Sequence, residues 1–243
     1  MIGMVLAAGA GKRLAPLTNA LPKTLLRVSG DDTILDIALA NFGRVGLREA
    51  VIVTGFAAER IEERVPELER RHGLRLELVF NPKAEIWNNA YSLWCARGFF
   101  VEGVLLANGD TVHPAEIEER LLATRGADIL LATDQERPLD EEAMKVKASS
   151  RGELQTITKQ MDPAEAQGEY IGLTLIEPSA SELLATSLEA TWRRDPSLYY
   201  EDGFQEFVDR GGAAGVVPIG AVEWVEVDDH ADLAQARELA CPS

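Results

Sequence analysis

Residues 1–23, MIGMVLAAGAGKRLAPLTNALPK, are the most informative stretch of the chain. The run from Met1 to Ala8 is almost entirely apolar and ends in Gly9-Ala10-Gly11, which predicts a buried strand that enters a glycine-rich turn. Lys12 and Arg13 follow this run, whereas a signal peptide carries its positive charges ahead of its apolar segment. We therefore expect residues 1–8 to form a strand in the core of a folded domain.

The glycine-rich turn is typical of phosphate binding, and three patterns compete for it. A dinucleotide-binding G-x-G-x-x-G pattern would need glycine at Leu14, and a P-loop in register with Gly11-Lys12 would need glycine at Leu6 and Ser or Thr at Arg13. The third pattern, G-x-G-x-R-x-x-P-x-T-x-x-x-P-K, has every fixed position filled from Gly9 to Lys23. Its glycines would let backbone N–H groups approach phosphate oxygens, and its basic side chains would add positive charge.

Strands and helices alternate through the first half of the chain. Short apolar runs predict strands at 50–54, 76–80, 104–107 and 128–133, and amphipathic or proline-opened segments predict helices at 33–45, 57–71, 88–97 and 114–125. This alternation predicts an α/β fold with a doubly wound, mostly parallel sheet.

The second half of the chain changes character. Residues 144–148 and 154–159 predict a hairpin, further strands are expected at 169–176, 216–219 and 224–227, and helices are expected at 179–192, 202–210 and 229–239. The acidic segment 134–142 separates the halves. We expect one domain over residues 1–243, with parts at about 1–133, 134–222 and 223–243.

The composition limits the function classes. Of 243 residues, 46% are hydrophobic, which is enough for a sizeable core, and the net charge is -16. A surface this acidic repels phosphate backbones and anionic lipid, so neither nucleic acid nor a membrane is an expected partner. The two cysteines, Cys95 and Cys241, are far apart and form no disulfide or metal pattern. A cytoplasmic location fits these features.

The third pattern resembles the glycine loop of the sugar-phosphate nucleotidyltransferase superfamily. The resemblance implies that Gly9, Gly11 and Arg13 hold the β- and γ-phosphates of an NTP, and that Lys23 lies near the α-phosphate and the acceptor's phosphate. It makes Arg13 and Lys23 the candidate catalytic residues. The predicted NTP-binding residues are Leu6, Ala7, Ala8, Gly9, Ala10, Gly11, Lys12, Arg13, Asn88 and Asn89.

Two aspartates follow predicted strands, where ligands bind in open α/β sheets. Asp110 ends LLANGD and Asp228 ends WVEVD. The superfamily carries a metal-binding aspartate at both places, so the resemblance implies that Asp110 and Asp228 bind Mg²⁺. A turn position for Asp110 and a helix N-cap for Asp228 are the structural alternatives, and Glu226 is a weaker metal candidate.

Further segments narrow the resemblance to one branch of the superfamily. Asn88-Asn89-Ala90-Tyr91-Ser92-Leu93, Lys145, Lys159 and the segments 169–172 and 199–202 resemble the enzymes that make CDP-choline, CDP-inositol or CMP-aminoethylphosphonate. The implied fold is a mixed sheet with an NTP-binding core at 1–133, a small β-containing acceptor subdomain at 134–222, and a metal-ligand strand with a closing helix at 223–243. The candidate acceptor-binding residues are Lys145, Lys159, Glu169, Tyr200, Glu201 and Asp202.

Several of these residues have structural alternatives. Asn88 and Asn89 could cap a helix, the two lysines could be solvated strand residues, and Glu201 with Asp202 could cap the helix that they begin. Aromatic faces beside carboxylates would suit a quaternary ammonium, but Tyr91 and Trp94 also suit a core.

The resemblance predicts transfer of CMP from CTP to a small phosphorylated or phosphonylated acceptor, with Mg²⁺ as cofactor and a homodimer as one option for assembly. The alternatives are a UTP-, dTTP- or GTP-dependent sugar-1-phosphate nucleotidyltransferase, a glycosyltransferase, and a regulatory protein that binds nucleotide without turnover. A glycosyltransferase usually shows a D-x-D motif, and Asn108-Gly109-Asp110 has half of one.

Overall fold

A computed structural model describes residues 1–240, so Cys241 lies outside the described part of the chain. The strands are β1 Ile2–Ala7, β2 Arg27–Ser29, β3 Asp32–Thr33, β4 Glu49–Thr54, β5 Arg75–Phe80, β6 Val104–Asn108, β7 Thr111–Val112, β8 Ile129–Asp134, β9 Lys145–Ala148, β10 Leu154–Thr158, β11 Gly168–Ile176, β12 Ala214–Pro218 and β13 Val225–Glu226. The helices are α1 Ile34–Arg44, α2 Ala58–Glu62, α3 Val65–His72, α4 Asn89–Cys95, α5 Glu116–Thr124, α6 Ser181–Arg194, α7 Tyr200–Asp209 and α8 His230–Ala240.

Within these residues, nine strands form one mixed sheet. The strand order is β10-β9-β11-β6-β1-β4-β5, and β8 and β12 join at the other edge of β11. The strands β6, β1, β4 and β5 run parallel, whereas β11 is antiparallel to its neighbours. The predicted α/β fold with a mixed sheet is therefore confirmed.

Helices cover both faces of the sheet, which explains the apolar strands. One core cluster joins β1, β4 and β6 to α1, α3 and α5 through Phe42, Leu68 and Leu121. The other joins the opposite face to α4, α6, α7 and the β9–β10 hairpin through Leu93, Leu188 and Phe204. Both faces of the central strands are buried, so their sequences are continuous apolar runs rather than alternating ones.

The central strand β11 connects the two halves of the sequence. At Leu175 it pairs with Leu105 of β6 on one edge and Leu130 of β8 on the other. At Glu169 it pairs with β8 and with β9, so the hairpin continues the main sheet. The NTP-binding and acceptor parts predicted from the sequence therefore share one sheet.

A small third cluster lies beside this sheet and was not predicted. It packs α8 against the two-stranded β2–β3 and β7–β13 ladders through Val28, Val112 and Leu233. The β7–β13 ladder pairs Val112 with Val225, and Val227 N donates to Asp110 O at 2.8 Å. These contacts bring the segment 225–228 beside the end of β6.

Other differences are local. The helix predicted at 57–71 is two helices, because Pro66 lies in the first turn of α3, where a missing N–H is tolerated. None of the helices in residues 1–240 combines the length and the apolar character that crossing a membrane requires.

Candidate functional site

Lys23 holds two distant aspartates together. It begins a short 3₁₀ turn after Pro22, and its Nζ lies 2.7 Å from Oδ2 of Asp110 and 2.9 Å from Oδ1 of Asp228. Asp110 follows β6 and Asp228 follows β13, so three separate segments meet at one ammonium group. Burial alone lowers the pKa of Lys23, but the charges and hydrogen bonds of both aspartates outweigh it, so this pKa is raised.

Arg13 joins the same group of charges from the solvent side. Its guanidinium lies 2.6 Å from Oδ2 of Asp228, and its side chain is 68% exposed. Burial raises the pKa of Asp228, but Lys23 and Arg13 stabilise its charged form more strongly, so the net shift is downward. The aspartate is therefore ionised at neutral pH.

A third carboxylate completes an acidic cluster. Asp110, Glu226 and Asp228 each offer an oxygen within 4.8 Å of the others. Oδ1 of Asp110 is buried, and no partner for it lies within the described residues. Hard cations such as Mg²⁺ prefer carboxylate oxygens, so this donor set fits such an ion. Desolvation and the charges of Asp110 and Asp228 raise the pKa of Glu226, and the charge of Lys23 only partly offsets them.

The glycine loop borders a cavity of about 610 Å³, here called the loop cavity. Its walls include Ala10, Gly11, Lys12, Arg13, Thr18, Lys23, Phe56, Glu85 and Asp228. Gly11 has φ +58°, and a Cβ there would lie 2.8 Å from Cβ of Lys23. A Cβ on Gly9 would meet nothing within 4 Å. Gly11 is therefore required by the fold, whereas Gly9 leaves open space that a ligand can approach.

A second cavity of about 270 Å³, here called the carboxylate cavity, lies on the other side of Arg13 and Asp228. Its walls include Leu6, Ala8, Gly9, Asn88, Asn89, Asn108, Asp110, Glu142, Met144, Lys159, Tyr170, Gly172, Tyr199, Glu201 and Glu226. Arg13 and Asp228 line both cavities. Two ligands could therefore meet at these charged side chains.

The two asparagines of this cavity organise its rim. Asn88 is the N-cap of α4, and its Nδ2 donates to Ser197 O at 2.8 Å. Asn89 Oδ1 accepts from the main-chain N–H of Tyr200 at 2.9 Å. Both side chains thus hold the segment that leads into α7, and both also face the cavity.

Lys145 was predicted from the sequence to bind the acceptor, but its side chain does not line the carboxylate cavity. Its side chain is fully buried, and its Nζ donates to the carbonyls of Glu141, Ala143 and Lys159 at 2.8, 3.2 and 2.9 Å. An ammonium group has three N–H donors, so none is left for an acceptor's phosphate. This lysine instead holds the segment before β9 against the end of β10, while Lys159 lines the carboxylate cavity.

The three consecutive residues predicted at the acceptor have different environments. Tyr200 is fully buried, and its hydroxyl donates to Asn108 Oδ1 at 2.8 Å. Asp202 accepts from the N–H of Tyr199 at 2.8 Å, which is the capping alternative. Only Glu201 faces the cavity, with 5% of its surface exposed and no partner for Oε2 among residues 1–240.

Glu169 lies in β11, where it pairs with Asp134 and Lys145 in the sheet. Burial and the charges of Asp140 and Asp134 raise its pKa to about 7. Ala7 is buried in β1 behind the glycine loop. These two predicted residues support the site from the sheet.

Residues 2–127, about half of the chain, match the nucleotidyl transferase family. The chain belongs to this family. It is 31% identical over 244 residues to a CMP-5'-(3-aminopropyl)phosphonate synthase of Streptomyces rubellomurinus, a match that covers 96% of this chain and 38% of that protein. It is also 32% identical over 97 residues to a choline-phosphate cytidylyltransferase of Streptococcus pneumoniae, over 40% of this chain and 39% of the relative.

The fold of this nucleotidyl transferase family member is shared with solved structures. The inositol-1-phosphate CTP transferase of T. maritima superposes with a TM-score of 0.80 at 22% identity, over 99% of this chain and 97% of that one. The chain spans about two fifths of the first two curated relatives named above. At this identity the structural likeness concerns the fold.

Asn108 is a cavity residue of this family member that was not predicted from the sequence. Asn108, which the sequence analysis read only as part of an incomplete D-x-D motif, lines the cavity beside Asp110. Tyr170 and Tyr199 belong to the segments 169–172 and 199–202 that the resemblance singled out, and both line the cavity. The hydroxyls of Tyr170 and Tyr200 contact each other at 3.0 Å, and that of Tyr200 donates to Asn108 Oδ1. The position of Asn108 at a strand end was its local signal, whereas its contact with Tyr200 exists only once α7 is packed beside the sheet.

Proposed function

We propose that the protein transfers CMP from CTP to a small phosphorylated or phosphonylated alcohol or amine and releases pyrophosphate. The observation that carries this proposal is the group formed by Lys23, Asp110 and Asp228, which lies where the loop cavity and the carboxylate cavity meet. The names of the relatives, a CMP-phosphonate synthase and a choline-phosphate cytidylyltransferase, support CTP as donor.

The proposed assignment follows the two cavities. The glycine loop with Lys12 and Arg13 would hold the β- and γ-phosphates, and the acceptor would occupy the carboxylate cavity between Lys159 and Glu201. The division into an NTP-binding core at 1–133, an acceptor part at 134–222 and a metal-ligand part at 223–243 follows the same assignment. A cytoplasmic location and a homodimer stay predictions from the sequence.

In the proposed reaction an acceptor oxygen attacks the α-phosphorus of CTP in line. The new P–O bond forms as the bond to the oxygen that bridges the α- and β-phosphates breaks, and pyrophosphate leaves with that electron pair. A phosphate monoester is largely dianionic at pH 7, so no general base is required. Catalysis then consists of positioning the two reactants and neutralising the negative charge that develops on the phosphates. Lys23 and Arg13 supply the positive charge for this.

Asp110, Glu226 and Asp228 would hold Mg²⁺, which when bound neutralises phosphate charge. The oxygen of Asp110 that has no partner among the described residues supports this assignment. The ion pairs of Lys23 with both aspartates orient its ammonium toward the same place.

The test is pyrophosphate release in a panel that crosses four NTPs with phosphocholine, aminoethylphosphonate, inositol phosphate and glucose-1-phosphate. We expect release with CTP and a compact acceptor, loss of release in EDTA, and recovery with excess Mg²⁺. A preference for UTP, dTTP or GTP with glucose-1-phosphate would contradict the proposal. Binding of nucleotide without release for any pair would favour the non-catalytic alternative.

A further inference from the structure

Glu201 is a buried carboxyl group that the proposed transfer chemistry does not use. It lies in the first turn of α7 and faces the carboxylate cavity with only 5% of its surface exposed. Its Oε2 has no hydrogen-bond partner within residues 1–240. Because an unpaired buried carboxylate is costly, such a group is expected to find its partner in a ligand.

Burial changes the pKa of this carboxyl group. Desolvation raises the pKa of Glu201 to about 8, because hydrogen bonds and the charge of Lys159 only partly offset the loss of water. A ligand with a positively charged N–H donor would stabilise the ionised form and fill the vacant hydrogen bond at once. Charge-assisted hydrogen bonds of this kind are stronger than neutral ones.

The aromatic side chains near the cavity argue against a quaternary ammonium ligand. Trp87, Tyr91, Trp94 and Trp192 pack on one another, with ring centroids 4.8–5.5 Å apart. None of these four described residues lines the carboxylate cavity. A quaternary ammonium is usually held by several aromatic faces, and this cluster does not supply them.

The two tyrosines that do line the cavity are already engaged. The ring of Tyr199 carries the ammonium of Lys159 at 5.3 Å from its centroid. Tyr170 is buried, and its hydroxyl contacts Thr174 at 2.6 Å and Tyr200 at 3.0 Å. Beside the acidic cluster, the cavity therefore presents the buried carboxyl group of Glu201 rather than an aromatic cage.

We propose that Glu201 selects acceptors whose headgroup is an ammonium carrying at least one N–H, such as an aminoalkyl phosphate or phosphonate, over acceptors with a trimethylammonium group. This inference rests on the proposed function. Lys159, on the same cavity wall, gives the site a cation to complement the acceptor's anionic end. The cavity thus matches an acceptor with opposite charges at its two ends.

The test is a methylation series of acceptors with CTP and Mg²⁺. It comprises phosphoethanolamine, its N-methyl and N,N-dimethyl derivatives, phosphocholine, and ethyl phosphate, which has no ammonium group, each measured by pyrophosphate release. The dimethyl compound keeps one N–H and differs from phosphocholine by one methyl group. We expect kcat/KM to fall at least about tenfold at that last step, because the hydrogen bond to Glu201 is lost there.

The variant Glu201→Gln removes the charge with little change in shape. We expect it to lower kcat/KM for phosphoethanolamine by about 10- to 100-fold, to spare ethyl phosphate, and to leave the KM for CTP unchanged. The matched control is Asp202→Asn, which removes a charge from the same helical turn but not from the cavity wall. It should leave the order of the acceptors unchanged.

The outcomes separate the inference from the proposed function. Absence of pyrophosphate release with every acceptor and NTP would overturn the proposed function, and this inference with it. Turnover of phosphocholine equal to that of the dimethyl compound would overturn the inference alone. So would equal losses for phosphoethanolamine and ethyl phosphate in Glu201→Gln.

Discussion

The ammonium of Lys23 lies 2.7 Å from Oδ2 of Asp110, and the same group contacts Asp228 at 2.9 Å. Both carboxylates are partly exposed, while the lysine side chain is 12% exposed. A largely buried cation is thus held between two anions that face the cavities. This arrangement places a positive charge where the proposed reaction moves negative charge from the α-phosphorus to the leaving group.

Replacing Lys23 with Ala should reduce kcat far more than it raises the KM for CTP. Loss of one donor that acts on transition-state charge typically costs about 2.7–4 kcal/mol, which is about 10²–10³ in rate. Steady-state kinetics with CTP varied at saturating acceptor measure both constants. Arg60→Ala, which removes an exposed ion pair with Glu63, is the control. A change confined to the KM for CTP would assign Lys23 to ground-state binding instead.

The two loop glycines should respond differently to alanine. In Gly11→Ala the new Cβ would contact Lys23 at 2.8 Å in a left-handed conformation, so we expect lower thermal stability together with lower kcat. In Gly9→Ala the Cβ meets only open space, so the fold should be unchanged while the KM for CTP rises. Melting temperature and kinetics on both variants decide this. A normal KM in Gly9→Ala would remove that glycine from the phosphate site.

Lys145→Met should destabilise the protein, and we expect it to change acceptor binding only as a consequence of that lost stability. Three carbonyls lose their donor, of which that of buried Ala143 is out of reach of water, and each unsatisfied buried group costs about 1–3 kcal/mol. Chemical denaturation measures the loss, with Lys147→Met at an exposed position of the same strand as the control. If Lys145→Met kept full stability but raised the acceptor's KM, the prediction made from the sequence would be right after all.

The raised pKa of Glu201 predicts a pH dependence of stability. The group titrates near 4.5 when unfolded and at about 8 when folded, so between these values the folded state binds the extra proton. The free energy of unfolding therefore falls as the pH rises through this window. Glu201→Gln stays neutral, so it should be more stable than the wild type at pH 8 by on the order of 1 kcal/mol or more, since each pKa unit represents about 1.4 kcal/mol. At pH 4.5 the two proteins should be nearly equal.

Denaturant titrations at pH 4.5, 6 and 8 test this expectation. Other buried carboxyls with raised pKa values, such as Glu118 and Glu169, affect both proteins alike. The difference between wild type and variant therefore isolates Glu201. A difference that stays constant across the pH range would mean that folding does not raise the pKa of Glu201.

Local sequence patterns were sufficient to predict much of the fold. The apolar runs of β1, β4 and β6 follow directly from burial on both faces, and the glycine loop followed by Pro22-Lys23 is a contiguous motif. The two-residue strands β3 and β7 are too short to produce a periodic pattern, whereas β13 lies within the strand expected at 224–227. Their pairing depends on α8 and α1, which no local signal reveals.

The residues of the candidate site also differ in how far they could be predicted from the sequence. Resemblance placed Asp110 and Asp228 together, and the structure brings them to one lysine. Sequence could not distinguish Glu201, which faces the cavity, from Asp202, which caps the helix one residue later. Lys145 and Lys159 also look alike in sequence, and only the packing of the hairpin buries the first and leaves the second at the cavity.

The contact between Lys23 and Asp228 spans 205 positions of the chain. During synthesis the glycine loop, Lys23 and Asp110 leave the ribosome well before Glu226 and Asp228. A nascent chain that ends before residue 226 has one carboxylate of the acidic cluster and one of the two partners of Lys23. The cluster can therefore assemble only after residues 226–228 have been synthesised, and shorter products would lack its two later carboxylates.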